Sequence, residues 1–246
     1  MSGASGNPEG LHAVVIGASG GIGAALVELL AAREDVVRVT AFSRSPVAPT
    51  SPKVLSATMD ILDEASVVAG AAACSDPAPR WVICAAGLLH DAGLQPEKSL
   101  RDLNPEKFAR VLAVNTIGPA LLLKHFAPTL PREGRSVLAL LSARVGSISD
   151  NRLGGWYAYR ASKAALNQLV RTASIEVARR WKEAVIVGLH PGTVATALSQ
   201  PFRGNVAPGK LFTPEQAAVH LLAVIERLSV ADTGKCLAWD GSEIPP

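Results

Sequence analysis

The sequence predicts an α/β protein with a mainly parallel sheet and helices on both faces. Three observations support this prediction. Short apolar runs alternate along the chain with longer stretches of helical periodicity. The apolar runs are nearly continuous, as expected for strands that are buried on both faces. No linker or internal repeat interrupts the pattern, so the 246 residues are expected to form one domain.

The elements are expected in a regular order. Seven strands are expected at residues 11–16, 36–42, 54–59, 81–85, 136–141, 184–189 and 235–239. Helices are expected at residues 21–32, 63–73, 104–126, 156–181 and 213–228. Asn104-Pro105-Glu106 and Thr213-Pro214-Glu215 each place a capping side chain, a proline and an acid where a helix should begin.

The composition excludes several classes of protein. Hydrophobic residues make up 48% of the chain and charged residues 18%, which excludes a disordered protein or a coiled coil. The net charge is only +3 without a basic run, so no nucleic-acid partner is expected. No apolar run approaches the roughly 18 residues of a membrane span, so no membrane partner is expected. Residues 1–10 are expected to be a disordered lead, and residues 11–246 the domain.

The cysteines indicate a reducing environment. Cys74, Cys84 and Cys236 are an odd number, and their spacing is not that of metal ligands. We therefore expect small buried thiols and no metal site. Because no secretory signal pattern is present, a cytoplasmic location is expected.

A glycine-rich loop follows the first predicted strand. Gly17, Gly21 and Gly23 have the spacing Gly-x-x-x-Gly-x-Gly, with Ser19 and Ile22 between them. Glycines there permit a tight turn and close approach of a pyrophosphate, and the helix N-terminus supplies unpaired N–H groups. We expect these five residues to bind a dinucleotide, with a plain glycine-rich turn as the alternative.

The end of the second strand indicates which dinucleotide. An acid there would bind the two ribose hydroxyls and repel a phosphate. The strand instead ends in Ser43 and Arg44, which can hydrogen-bond and pair with a 2′-phosphate. NADP(H) is therefore favoured over NAD(H).

Tyr159 and Lys163 are four residues apart, so they share one face of the predicted helix. A nearby ammonium, together with an oxidised nicotinamide, is expected to lower the pKa of the phenol and suit it to proton transfer. Tyr157 has no such partner. The pair is out of phase with the stripe that includes Ala165 and Leu169, so it is expected to lie largely off the packing face.

In these motifs the chain resembles the short-chain dehydrogenase/reductase family, and within it the C-factor and sniffer-type carbonyl reductase subgroup. The features that match the family are the glycine loop, Asp60, Asn115 in Val-Asn-Thr-Ile-Gly, Tyr159, Lys163 and His190-Pro191-Gly192-Thr193-Val194-Ala195-Thr196. The subgroup is indicated by Gly-Gly-Trp-Tyr-Ala-Tyr-Arg-Ala-Ser-Lys at 154–163 and by the ending Trp-Asp-Gly-Ser-Glu-Ile-Pro. The resemblance implies a Rossmann fold and NAD(P)-linked oxidation or reduction. It also implies that the chain forms a homodimer or homotetramer.

The resemblance assigns a role to each matching position. Asp60 would contact the adenine, and Lys163 would hold the nicotinamide ribose beside Tyr159. Asn115 would hold a water that relays protons to Lys163. The cofactor would also be bordered by residues that follow the fourth and sixth strands, namely Ala85, Ala86, Gly87, Pro191, Gly192, Val194 and Thr196.

The chain departs from the family pattern at two places. The usual Asn-Asn-Ala-Gly is replaced by Cys84-Ala85-Ala86-Gly87, which lacks both amide side chains. The serine that binds the substrate carbonyl is replaced by Ala143. We expect Ser142 to take over this role, with Ser147 or a site without that hydroxyl as the alternatives.

Two functions are consistent with these residues. The first is an NADPH-dependent carbonyl reductase that acts on a ketone or an aldehyde, with Tyr159 as the proton donor. The second is a cofactor-binding signalling protein with little turnover, which the resemblance to C-factor and the altered serine position keep open. The irregular stretch 197–212 is expected to be a lid over the substrate. Trp156 and Phe202 are expected either to wall that site or simply to pack, and His190 to be a strand-end residue.

Overall fold

A central parallel sheet organises the computed structural model, which describes residues 10–205 and 209–246. Its strands are β1 (Leu11–Ile16), β2 (Val36–Ser43), β3 (Val54–Thr58), β4 (Trp81–Cys84), β5 (Ser136–Leu141), β6 (Ala184–His190) and, last in the chain, β9 (Cys236–Ala238). Their order in the sheet is β3-β2-β1-β4-β5-β6-β9. The predicted seven-stranded doubly wound fold is confirmed, and each predicted strand is found within two residues of its expected bounds.

Helices connect the successive strands of the sheet except β2 and β3, which are joined without a helix. The helices are α1 (Gly21–Ala32), α2 (Glu64–Ala73), α3 (Pro105–Leu112), α4 (Gly118–Phe126), α5 (Tyr157–Val177) and α6 (Pro214–Arg227). The predicted caps are confirmed, because Asn104 Oδ1 accepts a hydrogen bond from Lys107 N and Thr213 Oγ1 accepts one from Gln216 N. Both prolines occupy the first helical position, where no N–H is needed.

Two buried layers enclose the sheet. One contains the α1 and α6 side chains with alternate residues of the strands, among them Val187 and Leu189 of β6. The other contains side chains of α2, α4 and α5 with the intervening strand residues, among them Ile186. Because both faces of the sheet are covered, the strands are apolar without alternation, which explains their continuous apolar pattern.

The predicted helix at 104–126 is interrupted. Residues Ala113–Ile117 form a π-helical turn between α3 and α4, in which Gly118 N donates to Ala113 O. Pro119 follows directly and has no N–H for the regular ladder. Gly118 also lies close to another element, since a Cβ there would be 2.7 Å from Ile61 Cδ1. The close packing and the proline account for a widened turn at Asn115.

Two short strands outside the main sheet were not predicted. The strands β7 (Thr193–Val194) and β8 (Leu211–Phe212) pair in parallel and lie at the two ends of the expected lid. Within the lid, residues Gln200–Asn205 form a 3₁₀ turn. Residues 206–208 of the lid and residues 1–9 of the expected disordered lead lie outside the described residues. In the part of the chain that is described, no helix is long and apolar enough to cross a bilayer.

Candidate active site

The glycine loop links β1 to α1 at the carboxyl edge of the sheet. Gly17 has a φ of +88°, and a Cβ there would lie 2.7 Å from the backbone nitrogen of Ala86. A Cβ on Gly23 would overlap the carbonyl oxygen of Gly17. Both positions therefore require glycine, the first for its backbone conformation and its approach to the β4 end, the second for the tightness of the turn.

The N-terminus of α1 is open to a ligand. Its N-cap is Gly20, which offers no capping side chain, and its first turn has no acid. Ser19, Gly20 and Gly21 are exposed there, and Ile22 is half-buried. Unpaired N–H groups and the positive end of a helix dipole at an exposed glycine turn suit a phosphate group. The predicted dinucleotide site therefore fits this structure.

The residues predicted to meet the adenosine lie around the ends of neighbouring strands. Arg44 and Asp60 are both exposed, after β2 and β3 respectively. Asp60 Oδ1 accepts a hydrogen bond of 2.9 Å from Leu62 N. Ser43 differs from the expectation, because its hydroxyl is buried and donates to the carbonyl oxygen of Ser45. Arg44 is thus the better placed of the two for a 2′-phosphate.

The residues predicted beside the nicotinamide lie after β4 and β6. Ala85 and Ala86 are half-buried, Gly87 is exposed, and Pro191 is half-buried at the β6 end. Four further positions continue this edge: Gly192, Val194 and Thr196 after β6, and Gly21 on the glycine loop. A Cβ on Gly21 would lie 2.9 Å from Thr196 Cγ2, so the segment after β6 borders the α1 N-terminus. This edge includes the switch point between β1 and β4, where ligands bind in open α/β sheets.

Asn115 fixes the loop after β4. Its Nδ2 donates to Leu88 O at 2.7 Å and to Ser162 Oγ at 3.1 Å, while its Oδ1 accepts from Leu88 N at 2.8 Å. The side chain is fully buried in the π-helical turn. A Cβ on Gly87 would be 3.6 Å from Asn115 Oδ1 and 3.9 Å from Lys163 Nζ. The loop that Asn115 holds therefore passes beside the lysine.

The structure corrects the predicted packing face of α5. Tyr159 and Lys163 are both buried, together with Ser162, and they belong to the helix face that packs against the protein. Ala165 and Leu169, which suggested the packing face, are only half-buried. The prediction was wrong because polar side chains interrupt the apolar residues of this packing face, which include Leu166 and Val170. These groups are positioned by the core.

Burial also corrects the expected pKa of the tyrosine. Lys163 Nζ lies 5.8 Å from the centroid of the Tyr159 ring and donates to Leu141 O at 2.8 Å. Desolvation nevertheless raises the pKa of Tyr159 to about 12, and desolvation lowers the pKa of Lys163 to about 8. The protein alone therefore keeps the phenol protonated at neutral pH. A lowering of this pKa by the ammonium together with an oxidised nicotinamide stays a prediction for the cofactor complex.

A cavity of about 240 Å³ adjoins Tyr159. It is lined by Ile22, Leu89, Ser142, Ala143, Arg144, Val145, Trp156, Tyr159, His190, Pro191, Gly192, Thr193, Val194, Thr196, Leu198, Ser199 and Phe202. Most of this lining is apolar. The Trp156 ring meets Tyr159 edge-on at 6.2 Å and Phe202 at 5.0 Å between centroids. Trp156 and Phe202 therefore pack together and also line this cavity.

The structure does not support a carbonyl-binding role for Ser142. Its hydroxyl donates to Asn167 Oδ1 at 2.6 Å, and its backbone nitrogen donates to Leu189 O at 2.8 Å. Asn167 lies on α5, so this hydroxyl ties the β5 end to the helix. Ser147 Oγ accepts from Asp150 N at 3.1 Å and is buried within its own loop. Ala143 is itself buried against Tyr159 and Leu89, which leaves an apolar surface at the family's serine position.

Several features of the site were not visible in the sequence. Trp156 has a φ of +53°, a left-handed backbone that is uncommon for a large side chain. It follows Gly154 and Gly155, which also have positive φ, and this glycine pair was the one available signal. Glu97 is buried and accepts from Ala158 N at 3.2 Å, so it caps the helix that carries Tyr159. Among the described residues, no group of three or more His, Cys, Asp or Glu side chains is arranged to hold a metal.

Comparison with known proteins agrees with this geometry. Residues 11–207 match the family model for short chain dehydrogenase. A 1-hydroxy-2-glutathionyl-2-methyl-3-butene dehydrogenase of a Rhodococcus species is 31% identical over 230 residues, which cover 93% of this chain and 96% of that protein. C-signal of Myxococcus xanthus is 33% identical over 147 residues, or 60% of this chain and 83% of that protein. The structure of NADPH-bound carbonyl reductase from chicken fatty liver superposes with a TM-score of 0.82 at 26% identity, covering 96% of this chain and 95% of that one.

Proposed function

The chain belongs to the short-chain dehydrogenase/reductase family, and we propose that it uses NADP(H) to reduce a ketone or aldehyde to an alcohol. One observation supports this most directly. Tyr159, a phenol kept protonated by burial, lines an apolar cavity that also touches Ile22 of the glycine loop. The proton donor and the dinucleotide-binding turn therefore meet at one cavity.

The cofactor would be held by groups already described. The α1 N-terminus around Ser19 and Gly21 would receive the pyrophosphate, and Arg44 would pair with the 2′-phosphate. The chicken carbonyl reductase of similar fold is an NADPH-bound structure, which supports the same choice here. When bound, NADPH supplies the hydride.

The side chains of this protein would manage the proton. Tyr159 gives its phenolic proton to the substrate oxygen as negative charge develops there. The hydrogen bond from Lys163 Nζ to Leu141 O fixes the position of the ammonium group. From there Lys163 is proposed to hold the nicotinamide ribose. The proposed relay through Asn115 would have to pass beside its side-chain amide, since that amide is bonded to Leu88 and Ser162.

The test is NADPH oxidation against a panel of ketones and aldehydes. We expect turnover by the wild type and a loss of at least about 100-fold in kcat/KM for Tyr159→Phe, because the ring stays while the proton is removed. Tyr157→Phe is the matched control, since Tyr157 does not line the cavity, and its activity should be unchanged. Equal turnover by wild type and Tyr159→Phe would refute the mechanism.

A second function follows from one specific likeness. The similarity to C-signal and the loss of the family serine at Ala143 support a signalling protein that binds the cofactor with little turnover. The same panel separates the two proposals. NADPH binding measured by fluorescence, without oxidation on any carbonyl, favours signalling.

The protein is also proposed to associate into a homodimer or homotetramer. A surface groove of about 870 Å³ runs between α4 and α5 and is lined by Leu123, Leu169, Ala173 and Trp181, among others. These are the helices through which the family resemblance implies a homodimer or homotetramer. Light scattering of the purified protein measures the subunit number.

A further inference from the structure

We propose that His190 donates a hydrogen bond to the substrate's carbonyl oxygen and so replaces the serine that Ala143 removes. This inference rests on the proposed reduction of a carbonyl. It assigns to one side chain the part for which Ser142 and Ser147 were expected.

The fold brings His190 to the right edge of the sheet. It is the last residue of β6, and its neighbour Leu189 accepts a hydrogen bond from Ser142 N at the end of β5. Strand residues alternate between faces, so His190 shares its face with Ile186, which packs in the layer of α5. Tyr159 projects from α5, and both side chains line the same cavity.

The two ring nitrogens of His190 are in different surroundings. Nδ1 is buried and has no hydrogen-bond partner among the described residues. Nε2, in contrast, is not fully buried, and no hydrogen bond joins it to any described residue. The side chain is half-buried at the cavity wall. The ring thus has one enclosed nitrogen and one that remains accessible.

This difference selects a tautomer. A proton on Nδ1 would be a buried donor without an acceptor, which costs about 1–3 kcal/mol. The proton is therefore better placed on Nε2, where it is available to an oxygen in the cavity. A carbonyl oxygen is the acceptor that the proposed reaction supplies.

The electrostatic surroundings keep the ring neutral. Desolvation, together with a smaller effect of nearby Arg144, lowers the pKa of His190 to about 4 against the opposing effect of Asp240. A neutral imidazole with a fixed donor can polarise a carbonyl without competing with the tyrosine as an acid. Proton donation then remains with Tyr159.

Three other polar side chains near this strand edge make hydrogen bonds or ion pairs within the protein. The Ser142 hydroxyl donates to Asn167 Oδ1, and Arg144 pairs with Asp150 at 2.9 Å. The Ser147 hydroxyl accepts from Asp150 N. His190 differs from these three groups because its accessible nitrogen is bonded to no described residue.

The experiment compares four variants in NADPH oxidation on the carbonyl panel: His190→Ala, His190→Gln, His190→Asn and the double variant His190→Ala with Ala143→Ser. We expect His190→Ala to lower kcat/KM by ~100-fold with unchanged NADPH affinity and unfolding midpoint. Gln places an amide near the position of Nε2 and should retain activity within about tenfold, whereas Asn places it near Nδ1 and should not. A serine at position 143 should restore at least about tenfold to the alanine variant.

The outcomes separate this inference from the proposed function. If the wild type reduces carbonyls and His190→Ala stays within about threefold of it, the inference is overturned while the proposed function stands. A loss that neither Gln nor Ala143→Ser repairs also overturns it, since the histidine would then act structurally. No turnover by the wild type overturns both. If His190→Ala does not fold, the contrast between Gln and Asn decides.

Discussion

The side-chain amide of Asn115 pairs with both backbone groups of Leu88, donating to its carbonyl oxygen at 2.7 Å and accepting from its N–H at 2.8 Å. The buried Asn115 side chain thus makes the two backbone hydrogen bonds that a neighbouring strand would otherwise make with the loop after β4. The loop passes beside Lys163 and contributes Leu89 to the cavity, so the Asn115 amide positions the backbone next to this lysine.

Asn115→Asp should destabilise the protein by about 1–3 kcal/mol, because a carboxylate cannot donate to Leu88 O and would be buried there. Activity should fall as well. Asn104→Asp is the control, since Asp caps a helix as well as Asn. Urea unfolding of both variants measures the difference, and equal stabilities would contradict the role given to the amide.

Alanine substitutions at two positions of the glycine loop should have very different effects on NADPH binding. Gly23→Ala should abolish detectable NADPH binding, because its Cβ overlaps the Gly17 carbonyl in the turn. Gly20→Ala is the matched control one turn earlier, where the nearest atom is 3.4 Å away, and it should bind within about tenfold of the wild type. Cofactor fluorescence titration measures both. A Gly23→Ala protein that binds normally would show that the turn tolerates the extra carbon.

Arg44→Asp should shift cofactor preference toward NADH by at least about tenfold, because a carboxylate binds ribose hydroxyls and repels the 2′-phosphate. Arg152→Asp makes the same charge change at another exposed position and should leave the preference unchanged. The ratio of kcat/KM for the two cofactors is the measurement. An unaltered ratio in Arg44→Asp would remove Arg44 from the phosphate site.

Lys163 should make stability depend on alkaline pH. Its pKa is about 8 in the folded protein against an ordinary 10.5, so between these values the unfolded chain binds more protons. The contribution of this group to stability therefore rises with pH across that window, by up to about 3 kcal/mol. In chemical unfolding, the free energy of unfolding of the wild type should therefore rise relative to that of Lys163→Met between about pH 7 and about pH 10. Burial keeps the pKa of Cys84 and Cys236 at about 11, above this window, so their thiols stay protonated in both folded proteins and titrate alike in both unfolded chains. A constant difference would contradict the lowered pKa of Lys163.

Trp156→Gly should be more stable than Trp156→Ala by about 1 kcal/mol. Both variants lose the same ring, but only glycine accepts the φ of +53° without strain. Thermal or urea unfolding measures the difference. If the alanine variant were the more stable, the left-handed backbone at this position would carry no cost.

Continuous apolar runs made the sheet predictable, because strands covered on both faces need no polar positions. The glycine loop and the helix caps at Asn104 and Thr213 depend only on residues close together in the chain, so the local sequence is enough to predict them. The family resemblance drawn from these motifs is confirmed by the match over residues 11–207.

The remaining parts of the site depend on contacts across the fold. The active face of α5 carries Ser162, Lys163 and Ser174, so its burial contradicts its polarity, and the apolar stripe suggested the wrong face. The hydrogen bond from Ser142 to Asn167 joins a strand end to a helix, so it cannot be predicted from the spacing of residues along the chain. The pKa of Tyr159 required knowledge of how deeply the phenol is buried, because desolvation is what raises it.

The pairing of β7 with β8 brings together the two ends of the segment that contributes Leu198, Ser199 and Phe202 to the cavity. Val194 and Phe212 are held in register, so the fold already holds the chain ends that flank this segment close to each other. For a closed loop, doubling the length costs only about 0.6 kcal/mol. Insertions or exchanges within residues 197–210 should therefore leave the sheet intact, which makes this segment a natural place to exchange substrate preference between proteins of the family.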